Sequence, residues 1–133
     1  MLSVDLAPTL LELAGVPEGD HIQGRSLLPL LSNRGAEWRE SILIEFYTYE
    51  NPMPWLVDMD YRVVRTKKYK YIHWVHHPEL HELYDLEADP YEMTNRVDDP
   101  GFADVRSRLR TELGHLVLDS LGLAKEGADS TPP

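Results

Sequence analysis

Histidines and one tryptophan crowd into a short segment of this 133-residue chain. Four of the six histidines lie within nine positions, and the cluster consists of His73, Trp74, His76, His77 and His81. Imidazoles suggest a metal site, and on a helix His73 and His77 would share one face. However, residues 69–75 have the pattern of a strand, and Pro78 interrupts the segment that follows. No zinc-type spacing with Asp or Glu accompanies the cluster. We therefore expect no metal site here.

Carboxylates and arginines form a second set of candidates. Asp98 and Asp99 are the only Asp-Asp pair, and they precede Pro100-Gly101 and a predicted helix. Because acidic groups favour helix N-termini, we interpret the pair as a helix-entry turn and not as a metal-ligand set. Arg62 and Arg65 are three positions apart, so a strand directs them to opposite faces. They are predicted to be structural ion-pair partners and not a joint anion clamp.

Charge and composition limit the classes of partner. The chain has 13 basic and 23 acidic side chains, a net charge of −10, and no cysteine. Because nucleic acids and anionic membranes are polyanions, this balance argues against binding to either. Disulfides and thiolate metal sites are excluded. The first residues show no basic region followed by a long apolar run, so we predict no signal peptide and no transmembrane helix. The compartment stays unknown.

Hydrophobic periodicity places these residues on a small set of elements. A helix is predicted over 3–14, with Ser3 as its N-cap and Gly15 as its C-terminal stop. Alternating apolar residues predict four strands, the second and third forming a hairpin, over residues 41–49, 61–66, 69–75 and 82–86. An apolar stripe predicts a further helix near 101–121. A small antiparallel sheet packed against a C-terminal helix, with one helix before it, is an α+β fold.

The strand pattern also predicts which side chains share a face. In the first strand, Ile42, Ile44 and Phe46 lie on one face and alternate with Leu43, Glu45, Tyr47 and Tyr49, so one face is expected to meet the core. In the fourth strand, Tyr84 and Leu86 share a face that is expected to pack against the helix.

Three segments, in order, resemble a known family. The first runs from Ser3 to Val16 and the second from Gly24 to Leu31. The third contains Arg-x-x-Arg-Thr at 62–66 and Leu-Tyr-Asp-Leu-x-x-Asp-Pro-x-Glu-x-x-Asn at 83–95. Together they resemble the C-terminal region of the sulfatases, the sulfuric ester hydrolases of the alkaline phosphatase superfamily. The resemblance is to bacterial-type sulfatases that act on small or carbohydrate sulfate esters.

This resemblance implies a metal-assisted hydrolase. Its nucleophile is a formylglycine made from Cys or Ser in a Cys/Ser-x-Pro-x-Arg motif, and clustered carboxylates hold a calcium or magnesium ion. The chain has no cysteine, and none of its serines has both the proline and the arginine at those offsets. We therefore assign no catalytic residue and no metal ligand, and we expect this chain alone to be inactive. The expected partner is an N-terminal sulfatase domain that carries the nucleophile and the cation.

The resemblance also suggests a role for the histidine cluster. In the family, loops of the small domain border the active-site cleft, so His73, Trp74, His76 and His77 are interpreted as a substrate-binding lip. Trp and His offer flat apolar area and polar edges, which suit a sugar or aryl group. A second candidate lip contains Glu45, Tyr47, Tyr49 and the loop 51–55. Solvated loop histidines are the alternative interpretation.

The same resemblance predicts how the chain is divided into domains. Residues 1–40 are interpreted as the end of the large sulfatase domain, residues 41–123 as the C-terminal subdomain, and residues 124–133 as a disordered tail. We expect the chain to be a fragment of an enzyme that hydrolyses sulfate monoesters. The alternative is a stand-alone binding or protein-interaction module that reuses the fold, with the apolar helix at 3–14 as its docking surface.

Overall fold

The computed structural model describes residues 2–19, 21–33, 36–48 and 54–122. The chain divides into two compact units, Met1–Trp38 and Arg39–Pro133. Predictions that concern Tyr49, residues 51–53 and the tail 124–133 lie outside the described residues. No helix in the described part of the chain has the length and apolar character needed to cross a membrane.

A buried carboxylate organises the first unit. A 3₁₀ turn at Ser3–Asp5 leads into α1 (Leu6–Ala14), and a loop then leads to α2 (Leu28–Ser32). The prediction of Ser3 as N-cap is wrong, because the Asp5 carboxylate accepts the Leu2 backbone N–H at 2.8 Å. The same carboxylate accepts the Arg25 N–H at 3.1 Å, which ties the start of α1 to the loop before α2. Gly15 ends α1 as predicted, at a left-handed φ of 67° that glycine adopts without strain.

The apolar side of α1 has little cover. Leu6, Leu10 and Leu13 expose 48%, 64% and 64% of their surfaces, whereas Pro8 and Thr9 are buried. The three leucines follow the helical spacing seen in the sequence, so the helix presents a continuous apolar stripe.

The second unit is a four-stranded antiparallel sheet packed against one helix. Its strands, in the spatial order β1-β2-β3-β4, are β1 (Ser41–Phe46), β2 (Tyr61–Thr66), β3 (Tyr69–Trp74) and β4 (Glu82–Asp85). The helix is α3 (Ala103–Ser120). It follows a 3₁₀ turn in which the Asp99 carboxylate accepts the Gly101 N–H at 2.9 Å, which confirms the predicted helix-entry turn. The α+β fold, with its antiparallel sheet and C-terminal helix, is also confirmed.

One row of side chains across the sheet meets α3. The register aligns Leu43, Val64, Tyr71 and Leu83 in that row. Leu109 and Leu113 of α3 pack against the row and complete the core.

The structure decides one face that the sequence left open and corrects one prediction. The core face of β1 is that of Leu43, and Ile44 on the other face is 39% exposed. In β4 the core residue is Leu83, so Tyr84 lies on the opposite face and its predicted packing against the helix is wrong. Alternation in a strand defines two faces, but it does not say which one a helix will cover.

The edge of β4 is held by one side chain. Asn95 accepts the Leu83 and Val97 N–H groups at 2.9 and 3.0 Å, and its amide donates to the His81 carbonyl at 3.1 Å. These hydrogen bonds fix the short strand and the position of His81 just before it.

Candidate functional site

Both predicted lips lie at the same end of the sheet. In this antiparallel order β1 and β3 end where β2 and β4 begin. The described residues between them, 47–48 and 54–60 in one segment and 75–81 in the other, are therefore neighbours at one end of the sheet. We call the described parts of these segments, residues 47–48, 54–60 and 75–81, the loop end.

An aromatic row leads to the loop end on the face away from α3. Phe46 and Tyr61 stack with ring centroids 5.2 Å apart, and Tyr61 meets Trp74 edge-on, also at 5.2 Å. The Trp74 indole N–H donates to Glu82 Oε1 at 3.1 Å. Burial, with help from Glu82, raises the pKa of Tyr84 to about 12, so its hydroxyl stays a hydrogen-bond donor. The row is a flat apolar surface with polar edges.

A polar row occupies the opposite face, on the side of α3. Arg62 Nε lies 3.2 Å from Glu45 Oε1, which confirms the predicted structural ion pair for this arginine. The Tyr47 hydroxyl donates to the same Glu45 oxygen at 2.7 Å. Next in the row are His73 and His81, whose ring centroids are 4.4 Å apart. The histidine cluster is therefore divided, because His73 points toward the α3 side of the sheet and its neighbour Trp74 points away.

The surroundings of the two histidines in the polar row disfavour their protonation. The Trp74 backbone N–H donates to His81 Nδ1 at 3.2 Å. A neutral His81 therefore carries its proton on Nε2. Burial lowers the pKa of His73, and the nearby His81, Arg110 and Arg62 lower it further. Burial and Arg110 also lower the pKa of His81.

His76 and His77 each have a carboxylate beside them. Asp60 Oδ1 accepts the backbone N–H of Thr48 at 2.6 Å and also the Thr48 hydroxyl, and these hydrogen bonds lower the pKa of Asp60. His76 Nε2 lies 3.8 Å from Asp60 Oδ2, and His77 Nδ1 lies 3.2 Å from Glu79 Oε1. Asp60 thus joins the two loops. Sequence analysis missed it, although a carboxylate directly before a strand was the available signal.

One further aromatic residue belongs to the loop end. Trp55 lies in a 3₁₀ turn at Pro54–Leu56 and is 74% exposed. Asp58, shortly after it, adopts a φ of 62°, a left-handed conformation that is uncommon outside glycine. The exposed indole falls in the second predicted lip.

The described residues of this chain do not fit the metal and nucleophile of a sulfatase. Within the described ranges, no group of three or more His, Cys, Asp or Glu side chains could hold a metal ion. His76 and His77 each meet a single carboxylate. No cysteine is present in the sequence. We therefore derive no chemical step through either group from these residues.

Comparison with known proteins identifies the family. Residues 1–119 match the family described as N-sulphoglucosamine sulphohydrolase, C-terminal. The chain belongs to the sulfatases, as their C-terminal domain. N-acetylglucosamine-6-O-sulfatase of Bacteroides thetaiotaomicron is 41% identical over 97 residues, which are 71% of this chain and 17% of that enzyme.

Solved structures of related enzymes share the fold. One, in complex with its substrate D-glucosamine-2-N,6-O-disulfate, superimposes with a TM-score of 0.73 at 32% identity over 96% of this chain and 25% of that protein. The phosphonate monoester hydrolase of Agrobacterium radiobacter gives 0.72 at 27% identity, over 86% of this chain and 24% of that enzyme. This sulfatase chain thus spans a quarter or less of the length of these three relatives.

Proposed function

We propose that this chain is the C-terminal subdomain of a sulfatase that hydrolyses sulfate monoesters of carbohydrates. The family match over residues 1–119 is the observation that carries the proposal. The substrate class is supported by the relatives named for glucosamine sulfates. The parent enzyme would supply the formylglycine and the calcium or magnesium ion from residues outside this chain, since the residues here do not fit them.

The two units would have different roles in that parent. Residues 1–40 would complete the large catalytic domain, and residues 41–123 would form the subdomain beside it. The uncovered leucines of α1 support the first assignment, because Leu10 and Leu13 each expose 64% of their surface. An apolar stripe of this kind is stabilised when another part of the protein buries it.

The loop end would border the active site and contact the saccharide. Trp74 ends the aromatic row, and such a ring packs well against the C–H face of a sugar. His76 and His77 offer ring nitrogens for sugar hydroxyls, and Asp60 and Glu79 lie beside them. His73 would act indirectly, since it faces α3 and contacts His81. In this proposal the subdomain sets specificity and takes no part in bond cleavage.

The genomic DNA upstream of the codon for Met1 offers the first test. We expect an in-frame segment that encodes Cys/Ser-x-Pro-x-Arg, and the longer protein should then hydrolyse glucosamine 6-sulfate in the presence of a divalent cation. The 133-residue chain alone should not hydrolyse an aryl sulfate. Metal-dependent turnover by the short chain would contradict the proposal. A longer protein that cleaves only phosphonate monoesters would contradict the substrate class.

Variants of the longer protein test the role of the loop end. Trp74→Ala and His76→Ala should raise KM for the sugar sulfate about tenfold and leave kcat within about threefold, because they remove contacts made equally in the ground state and the transition state. His115→Ala, an exposed histidine on α3, is the matched control. Unchanged KM in both Trp74→Ala and His76→Ala would contradict the lip assignment.

The alternative function, a stand-alone interaction module, has one structural observation in its favour. The second unit has a hydrophobic core of its own, built from Val64, Tyr71, Leu83, Leu109 and Leu113. A 133-residue chain that stays monomeric, with the apolar side of α1 covered by its own residues, would favour this alternative.

A further inference from the structure

A cavity lies within the second unit, between α3 and the segment that leads into β4. Its volume is about 550 Å³, in the range of pockets that hold small-molecule ligands. The α3 wall contributes Arg106, Ser107 and Arg110, and the sheet side contributes Tyr71 and His81. The wall shares Pro78, Glu79 and His81 with the loop end, but no residue of the aromatic row lines it.

Two guanidinium groups are aligned on this side of α3. Arg106 and Arg110 are four positions apart, so they lie on the same helix face. The Arg106 Nη1 donates to the Val97 carbonyl at 2.6 Å, which orients that side chain at the wall. Among the described residues, Arg110 has neither an ion pair nor a hydrogen bond. Its positive charge contributes to the lowered pKa of His73 and of His81. Arg106 and Arg110 bring two positive charges to the wall, and Glu79 and Asp98 bring two negative charges. An anion would therefore be held by direct contact with the Arg110 guanidinium and not by a net positive charge of the wall.

The other polar groups of the wall include further donors. His81 accepts the Trp74 N–H at Nδ1, so the Nε2–H of its neutral ring is left as a donor. Ser107 adds a hydroxyl. Two carboxylates, Glu79 and Asp98, also line the cavity, and Glu79 already lies 3.2 Å from His77. Both carboxylates would oppose a bound anion.

We propose that this cavity is a subsite for the sulfo group of a sulfated saccharide, distinct from the group that the parent enzyme removes. Guanidinium forks suit oxyanions because they donate two parallel N–H bonds to adjacent oxygens. The cavity is larger than a sulfate ion, which leaves room for part of a sugar ring. The saccharide identity rests on the function proposed above, whereas the anion site rests on the wall itself. The subsite would favour substrates that carry a second negative group.

The experiment is an NMR titration of the ¹⁵N-labelled 133-residue chain with glucosamine 6-sulfate. We expect amide shifts at residues 106–110 and 81. Arg110→Gln should weaken binding about tenfold, the effect of losing one charge-assisted hydrogen-bonded contact. Arg108→Gln removes the same charge from the same helix but lies outside the cavity wall, and it should leave binding within about twofold. Arg106→Gln serves as the second variant if Arg110→Gln fails to fold.

Three further measurements can contradict the proposed subsite. Unsulfated glucosamine should not shift these amides, and inorganic sulfate should bind more weakly than the sugar sulfate. Asp98→Asn should tighten binding. Equal weakening by Arg108→Gln and Arg110→Gln, no binding by the wild-type chain, or equal binding of inorganic sulfate would overturn the subsite. These results would leave the KM test at the loop end intact, so failure of the subsite is distinguishable from failure of the proposed function.

Discussion

The imidazole rings of His73 and His81 lie 4.4 Å apart on the α3 side of the sheet. Burial is the largest cause of the lowered pKa of each ring. The guanidinium of Arg110 adds to the effect at both rings, and Arg62 adds to it at His73. A proton on either ring would therefore be desolvated and would meet like charge.

This environment predicts a stability that decreases in mild acid. The unfolded chain takes up protons near the ordinary histidine pKa of 6.5, whereas the folded chain takes them up only at lower pH. As the pH falls from about 7 to about 5, the unfolded state binds more protons and the free energy of unfolding should decrease. Above about pH 7 the two rings are neutral in both the folded and the unfolded state. They then contribute nothing to the pH dependence of the free energy of unfolding. Urea unfolding followed by circular dichroism from about pH 7 to about pH 5 measures this dependence.

A matched pair of variants isolates the cause. His73→Gln should reduce the pH slope, because one of the two depressed groups is gone. His115→Gln, at an exposed position of α3, should leave the slope as in the wild type. If the wild type and both variants lose stability equally as the pH falls, His73 and His81 do not govern the acid response.

At the scale of the elements, helix α3 stabilises the sheet through a narrow stripe of buried leucines. Leu109 and Leu113 are 2% and 5% exposed, and both belong to the core cluster with Val64 and Leu83. The helical spacing in the sequence predicted this stripe. Farther along the same helix, Leu118 is 47% exposed, so similar side chains have different surroundings on one element.

Truncation of these leucines should separate core from surface. Leu109→Ala should lower the free energy of unfolding by about 2–5 kcal/mol, since it removes buried methyl groups and leaves a cavity. Leu118→Ala should change it by less than about 1 kcal/mol. Urea midpoints at neutral pH provide the measurement. Similar losses for both variants would contradict the assignment of α3 as the helix that seals the sheet.

At the scale of the whole molecule, uncovered apolar surface on α1 should influence solution behaviour. Leu10 and Leu13 are both 64% exposed, and large apolar patches promote association. A net charge of −10 opposes association, because like-charged chains repel. With these leucines exposed, we expect the chain to self-associate as its concentration increases.

Size-exclusion chromatography with light scattering tests that expectation. The wild-type chain should form oligomers as its concentration is raised, and Leu10→Glu/Leu13→Glu should keep it monomeric. Tyr91→Glu/Met93→Glu adds the same charge at side chains that are 84% and 81% exposed, and it should not prevent association. A wild-type chain that stays monomeric throughout would favour the stand-alone module.

Ordered motifs and local periodicity were enough to predict the family, the order of the elements and the antiparallel hairpin. Which face of β1 and β4 meets α3, and how the histidines divide between the two faces, depends on packing and could not be predicted from these patterns. The tertiary structure also brought Asp60 to His76 and Asn95 to the edge of β4, contacts between segments that are distant along the chain. A period of two residues defines two faces of a strand, but the packing of a remote helix determines which face is buried.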